Sequence, residues 1–347
     1  MRADPRPTLL GAALVLSSVS SLWLAPAAAA SDGPARLPAS REYVVADPTL
    51  DEISGMVASQ LHDGVSYVVE DSKNGPHVYA IGPDGQTVAT FTLNGAVNVD
   101  WEAMAPGTDD HGNPVLWIGD IGDNDSQRDS IRLYRVDEPV DLVDGSLGWT
   151  KVDLTYPDRA HNAEALLSDP KTGQLFVVTK EALGAGVYAA PVDLARGNTY
   201  QLTRIADAPM FVTDGAISPD GSLTVLRTYG DAVFVDGPAG PELAHFMLPP
   251  QPQGETLAFT PDGSALLVGS EGAQQPVYRV QLPAEVPASG SPSEAAPTGT
   301  SQAAAPTSTS AGASTALALG LGVVVLLGLF VGALMTLGRR EETTTGP

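Results

Sequence analysis

The sequence predicts an all-β protein: a five-bladed β-propeller followed by one C-terminal membrane-spanning helix. Three observations carry this expectation. Five three-strand units recur at the spacing of propeller blades. Short apolar runs broken by turn signals stand where a helical protein would show a 3.6-residue period. A 23-residue uncharged stretch lies near the C-terminus.

Each unit opens on a short apolar strand with a polar head. The heads are Ser54 (Ser-Gly-Met-Val-Ala), Glu102 (Glu-Ala-Met-Ala), Glu164 (Glu-Ala-Leu-Leu), Thr213 (Thr-Asp-Gly-Ala-Ile) and Glu255 (Glu-Thr-Leu-Ala-Phe). A second strand follows each, as in Val115-Leu-Trp-Ile-Gly-Asp120, and then a third, as in Ile131-Arg-Leu-Tyr-Arg-Val136. The heads are 48, 62, 49 and 42 residues apart, against about 40–50 for propeller blades. Tight turns are expected at Pro83-Asp-Gly85, Pro219-Asp-Gly221 and Pro261-Asp-Gly263. The fifth unit runs out near Leu282, whereas Arg41–Ala46 is a strand without a unit. That N-terminal strand is expected to complete the last blade and remove a sheet edge. The 62-residue interval leaves a six-bladed ring as an alternative, and a two-sheet sandwich is the other all-β arrangement.

The ends are read separately from the fold. Residues 1–30 have the basic start, apolar run and Ala28-Ala29-Ala30 close of a signal peptide. Residues 31–39 form a linker and 40–283 the propeller. Residues 284–314, mostly Ala, Pro, Ser, Thr and Gly, form a disordered stalk. Thr315 to Leu337 would span about 34 Å as a helix, enough for a bilayer core. Arg339 and Arg340 follow, so the propeller is expected outside and the 338–347 tail in the cytoplasm. Gly328-x-x-x-Gly332 matches a helix-packing pattern.

The chain carries 41 acidic and 18 basic residues, a formal net charge of −23. That balance excludes nucleic acid as a partner and favours cations. Cysteine is absent, which excludes thiol catalysis and disulfide stapling. There is no G-x-S-x-G elbow, no H-E-x-x-H and no P-loop, and the five histidines are scattered.

Two sets of residues draw attention. The second strands end in Glu70, Asp120, Lys180, Arg227 and Glu271, expected to cluster at one channel mouth as a ligand-binding rim. The loop Asp120-Ile-Gly-Asp-Asn-Asp125 brings Asp120, Asp123 and Asp125 together as a possible second metal loop. Its alternative reading is a plain acidic turn with positive φ at Gly122 and Asn124.

The segments Val99-Asp-Trp-Glu-Ala-Met-Ala105, Trp117-Ile-Gly-Asp-Ile-Gly-Asp-Asn124 and Tyr134-Arg-Val-Asp-Glu-Pro139 resemble exported bacterial propellers of the WD40-like or esterase-like-phytase type. The head order Ser54, Glu102, Glu164, Thr213, Glu255 is similar to that of the calcium-activated nucleotidases (apyrases), with Thr for the second Ser. That resemblance implies one Ca²⁺ held by these five residues in the central channel. The functional expectation is a membrane-tethered extracytoplasmic binding or scaffold module, with a structural Ca²⁺ and an unknown extracellular ligand or protein partner. The alternative is a metal-dependent hydrolase, a phosphoesterase or esterase-like enzyme acting at the channel mouth.

Overall fold

The computed structural model describes residues 33–283, Lys73 excepted. The expected signal peptide, stalk, C-terminal helix and tail all lie outside the described residues. Among the described residues there is no helix, and so none long and apolar enough to cross a membrane.

The chain forms β1 (Ala39–Val44), then a first blade of β2 (Ile53–Ala58), β3 (Ser66–Glu70), β4 (His77–Ile81) and β5 (Thr87–Thr92). The second blade is β6 (Trp101–Thr108), β7 (Pro114–Asp120), β8 (Ile131–Asp137) and, after the short β9 (Gly145–Ser146), β10 (Trp149–Thr155). The third comprises β11 (Ala163–Ser168), β12 (Leu175–Thr179), β13 (Gly186–Ala189) and, after β14 (Thr199–Gln201), β15 (Thr203–Asp207). The fourth is β16 (Val212–Ile217), β17 (Thr224–Thr228), β18 (Asp231–Val235) and β19 (Glu242–Met247). The fifth is β20 (Gly254–Phe259), β21 (Ala265–Ser270) and β22 (Pro276–Gln281). Five sheets, each an antiparallel meander in its main part, make five blades.

The fifth blade is closed by β1, which pairs antiparallel with β22. Arg279 grips Glu42 through two hydrogen bonds of 2.8 and 2.9 Å across that pair. The long interval after Glu102 hides no sixth blade. It is taken up by β9, which adds parallel to β5 and so extends the first blade from the second. In the same way β14 adds parallel to β10. Both additions cover outer edges that would otherwise be free to pair with another chain.

Strands face alternately toward the two neighbouring blades, and both faces are apolar. The core is therefore divided among the five blade interfaces. Tyr67, Trp101 and Tyr134 fill the interface of blades one and two; Leu133, Leu166 and Tyr188 fill the next. Val187 and Leu226 join blades three and four, Phe234 and Leu257 blades four and five, and Met56 and Leu267 close the ring. The Pro-Asp-Gly turns form as expected, with Gly85, Gly221 and Gly263 at positive φ. At Gly85 a side chain is impossible for a second reason: a Cβ would collide with the Val44 carbonyl of the closing strand.

Candidate functional site

The inner strands β2, β6, β11, β16 and β20 touch one another around the channel, β20 returning to β2. Each enters from the same face, because each pairs antiparallel with a second strand that ends there. Every one of these pairings slips register near its start: between Ile53 and Gly55, Trp101 and Ala103, Ala163 and Ala165, Val212 and Asp214, Gly254 and Thr256. The residues skipped are Ser54, Glu102, Glu164, Thr213 and Glu255. All five heads are thus the extra residue of a β-bulge, the device that turns a side chain out of the pleat.

The bulges are tied to one another. The Ser54 hydroxyl donates to the Trp101 carbonyl at 2.6 Å, and the Thr213 hydroxyl to the Gly254 carbonyl at 2.8 Å. Each hydroxyl therefore locks the head of the next inner strand, and its oxygen keeps lone pairs for a ligand. Glu164 is engaged differently. Lys180 lies 2.5 Å from its Oε2, and the Asn162 amide donates to its Oε1 at 3.3 Å. Lys180 also stands over the Tyr229 ring, 4.8 Å from its centre. No hydrogen-bond donor reaches the Glu102 or Glu255 carboxylate among the described residues.

Carboxylates crowd the first-to-second blade side of this mouth. One oxygen from each of Asp71, Asp100 and Glu102 lies within 4.8 Å of the others. Glu164 and Glu255 are outside that group. Asp71 follows β3, whereas Asp100 and Glu102 flank Trp101 at the start of β6. Asp100 and Glu102 are buried. Gly122 lies beneath them, where a Cβ would strike the Asp100 carboxyl and Glu102 Cγ.

The electrostatics follow from burial with too few cations. Burial, then the Asp71 carboxyl, pushes Asp100 up to about 7. Burial, then Glu164, Asp71 and Asp100, holds Glu102 well above the usual range. Burial raises Glu255 to about 8 despite Lys180, and burial with Glu52 raises Glu271 to about 7. Burial works against the charge on Lys180, but Glu164 and Glu255 outweigh it and keep its pKa above the ordinary value.

The five second-strand ends do not form a common rim. Lys180 and Glu271 stand at the mouth, the latter bonded by the Gln253 amide. Arg227 is fully buried: it donates to the Thr256 carbonyl at 2.6 Å and to Gln251 at 2.5 Å, clamping blade four to blade five. Asp120 is equally buried, held by Arg128 at 2.9 Å and Arg132 at 3.7 Å, and accepts from the Asp100 amide. Glu70 is buried near Tyr79, and burial raises its pKa. These three were expected on a rim because strand ends usually reach solvent; here all three are buried, and Asp120 and Arg227 bond to the backbone of the inner strands.

The loop after Asp120 does not gather its acids either. Asp120 is taken by arginines, Asp123 accepts from the Arg128 amide at 2.7 Å, and Asp125 is exposed. Positive φ falls at Ser126 rather than at Gly122 or Asn124. The residues missed in the sequence are Asp71, Asp100, Glu52 and the buried Asp214, whose carboxylate accepts from the Leu257 and Gly215 amides. A signal for two of them was present. The residue two before each head is Glu52, Asp100, Asn162, Phe211 and Gln253, polar in four of five blades.

No family model and no curated protein matches the chain. Among solved structures it is similar to a gluconolactonase from Xanthomonas campestris, at 13% identity and a TM-score of 0.42, over 63% of this chain and 69% of that one. A chain of hydrazine synthase from Kuenenia stuttgartiensis shares 15% identity over 64% of this chain and 56% of its own, with a TM-score of 0.37. A chain of a nidogen/laminin complex shares 15% over 63% and 72%, with a TM-score of 0.40. Similarity at this level assigns neither a family nor an activity.

Proposed function

We propose that this chain is a membrane-tethered, extracytoplasmic β-propeller that works as a binding or scaffold module, with Ca²⁺ held at the acidic mouth of its channel. The observation that carries the cation is the Asp71–Asp100–Glu102 group. Three charges within 4.8 Å of one another repel by at least about 3.5 kcal/mol per pair at an effective dielectric near 20. Three ionised pairs then cost about 10 kcal/mol, comparable with the stability of a whole domain. A hard divalent cation converts that repulsion into coordination by oxygen, its preferred ligand.

The donor set fits calcium and differs in part from the five-head ring. Asp71, Asp100 and Glu102 supply carboxylates, and Ser54 offers a hydroxyl oxygen from the neighbouring bulge. Glu164 remains with Lys180, and Glu255 lies outside the group. Binding rather than turnover is supported by the absence of a nucleophile–base pair among these residues. Lys180, paired with Glu164 and standing over Tyr229, would meet an anionic group docking over the mouth in competition with that glutamate. It is also what keeps a phosphoesterase reading open.

The described chain begins and ends on the opposite face. β22 runs away from the mouth, and β1 starts beside its end. Calorimetric titration of the full chain with CaCl₂ tests the cation, and a screen of phosphoester and carboxyester substrates with Ca²⁺ tests the role. Saturable binding lost in Glu102→Gln, without turnover, is expected. No heat of binding would overturn the calcium site, and EDTA-sensitive turnover would overturn the binding role.

A further inference from the structure

A second concave site lies on the outer rim, away from the channel. It is a cleft of about 500 Å³ between blade two and the segment joining β13 to β14. Its working residues are Trp117, Arg135 and Arg196, with Asp137 as the one carboxylate; Trp149 and Lys151 border it as edge strand only, since the register turns their side chains to the other face of the sheet. The composition stands out against the rest of the molecule. In a chain with 41 acidic and 18 basic residues, this cleft collects two cations and one anion. It also holds the half-buried Trp117.

The arrangement is set by the sheet. Arg135 on β8 is in register with Trp117 on β7 and with Thr150 on β10, so the three stand in one row on one face. Arg196 approaches from the adjoining segment. Neither Arg135 nor Arg196 makes an ion pair among the described residues, whereas most other arginines do. Lys151 is held by Asp153 at 2.7 Å. On the opposite face Trp149 is fixed edge-on against Tyr134, 5.3 Å between ring centres, and its indole N–H donates to the Asn94 carbonyl at 3.0 Å, which braces the strand behind the cleft. The cleft thus sets the Trp117 indole beside two free guanidinium groups, Arg135 being its direct cross-strand neighbour.

We infer that this rim cleft binds a carboxylated saccharide. An indole offers an apolar plane for the C–H face of a sugar ring, and a guanidinium takes a carboxylate through two parallel hydrogen bonds. The volume falls within the usual range for ligand sites and suits two or three sugar units. Its position outside the channel makes it independent of calcium.

The test is isothermal titration of the detergent-purified full chain with tetragalacturonate, and with neutral maltotetraose for comparison. Saturable binding of the acidic sugar is expected, at least about tenfold tighter than of the neutral one, and weaker in high salt. The double variant Arg135→Gln/Arg196→Gln weakens it by about tenfold or more with an unchanged melting temperature, and EGTA leaves the wild-type affinity unaltered. The inference is overturned by no saturable binding at about 10 mM sugar, which corresponds to a binding free energy weaker than about −3 kcal/mol. It is equally overturned by equal affinity for maltotetraose, by full affinity in the double variant, or by loss of binding in EGTA.

Discussion

Raising the pH without calcium should weaken this protein, and adding calcium should reverse most of the loss. In the folded chain Asp100 and Glu271 titrate near 7 and Glu255 near 8. Unfolded, the same groups titrate near 4. Their folded values are raised, so the stability they confer is complete below about pH 4 and is lost as pH climbs through 7 to 8. From pH 6 to 8 the folded mouth holds roughly two protons more than the unfolded chain, and each costs about 1.4 kcal/mol per pH unit. The uncorrected loss is about 5 kcal/mol. Asp100 and Glu271 keep some contact with water, so screening brings this to roughly 2–3 kcal/mol. For a domain of this size the melting temperature should fall by about 5–10 °C. Calcium at about a hundredfold over its Kd adds roughly 2.7 kcal/mol. Since its ligands must be deprotonated, the gain grows with pH. Thermal melts at pH 5.5, 7 and 8 in CaCl₂ and in EGTA read this directly: the two curves should nearly coincide at pH 5.5 and separate by several degrees at pH 8. A melting temperature in EGTA that is flat across this range, or a calcium effect of the same size at pH 5.5 and 8, would refute the reasoning.

Four further outcomes are expected. Deleting residues 33–45 removes β1 with its Arg279–Glu42 clamp and the buried Tyr43 and Val45, and should cost several kcal/mol; deleting 290–314 should leave the melting temperature unchanged. Gly122→Ala should weaken calcium binding at least about tenfold, read by titration, because its methyl displaces Asp100 and Glu102. Arg227→Met should cost about 3 kcal/mol or more by denaturant unfolding, since it leaves the Thr256 carbonyl and Gln251 side chain without their donor. Protease added to intact cells should release a folded fragment by cutting within 284–314; full protection would contradict the tether.

The fold was legible because its signals are local and repeated. Each blade opens on an apolar strand short enough to be read by eye, and the Pro-Asp-Gly turns fix where strands reverse. The closing role of Arg41–Ala46 followed from counting strands, since a ring leaves no strand over. The site was legible in part. Ser54, Glu102, Glu164, Thr213 and Glu255 could be aligned as equivalent positions, and the structure places every one in the same bulge. What alignment did not carry was the pairing of charges around the ring. Whether Glu164 faces a cation or another acid depends on Lys180, sixteen residues on in sequence and 2.5 Å away in space.

The failures at the second-strand ends show why position in a repeat does not fix function. Glu70, Asp120, Lys180, Arg227 and Glu271 occupy related places, yet each blade uses its place differently. In blade two the polar end is Asp120, and two arginines neutralise it so that it can hold the Asp100 amide. In blade four it is Arg227, which reaches across to the backbone of blade five beneath Gly254, where no side chain obstructs it. In blade three the end residue is long and the head of its own blade is charged, so Lys180 reaches up to Glu164 at the mouth. The ring thus separates its polar groups by depth. A lower tier of Asp120, Asp214 and Arg227 spends its hydrogen bonds on the backbones of the inner strands. That tier fixes the bulges from below. The Asp100, Glu102 and Glu255 carboxylates of the upper tier accept no such backbone hydrogen bond, and of these Asp100 and Glu102 stand close to Asp71 in the group proposed to hold calcium.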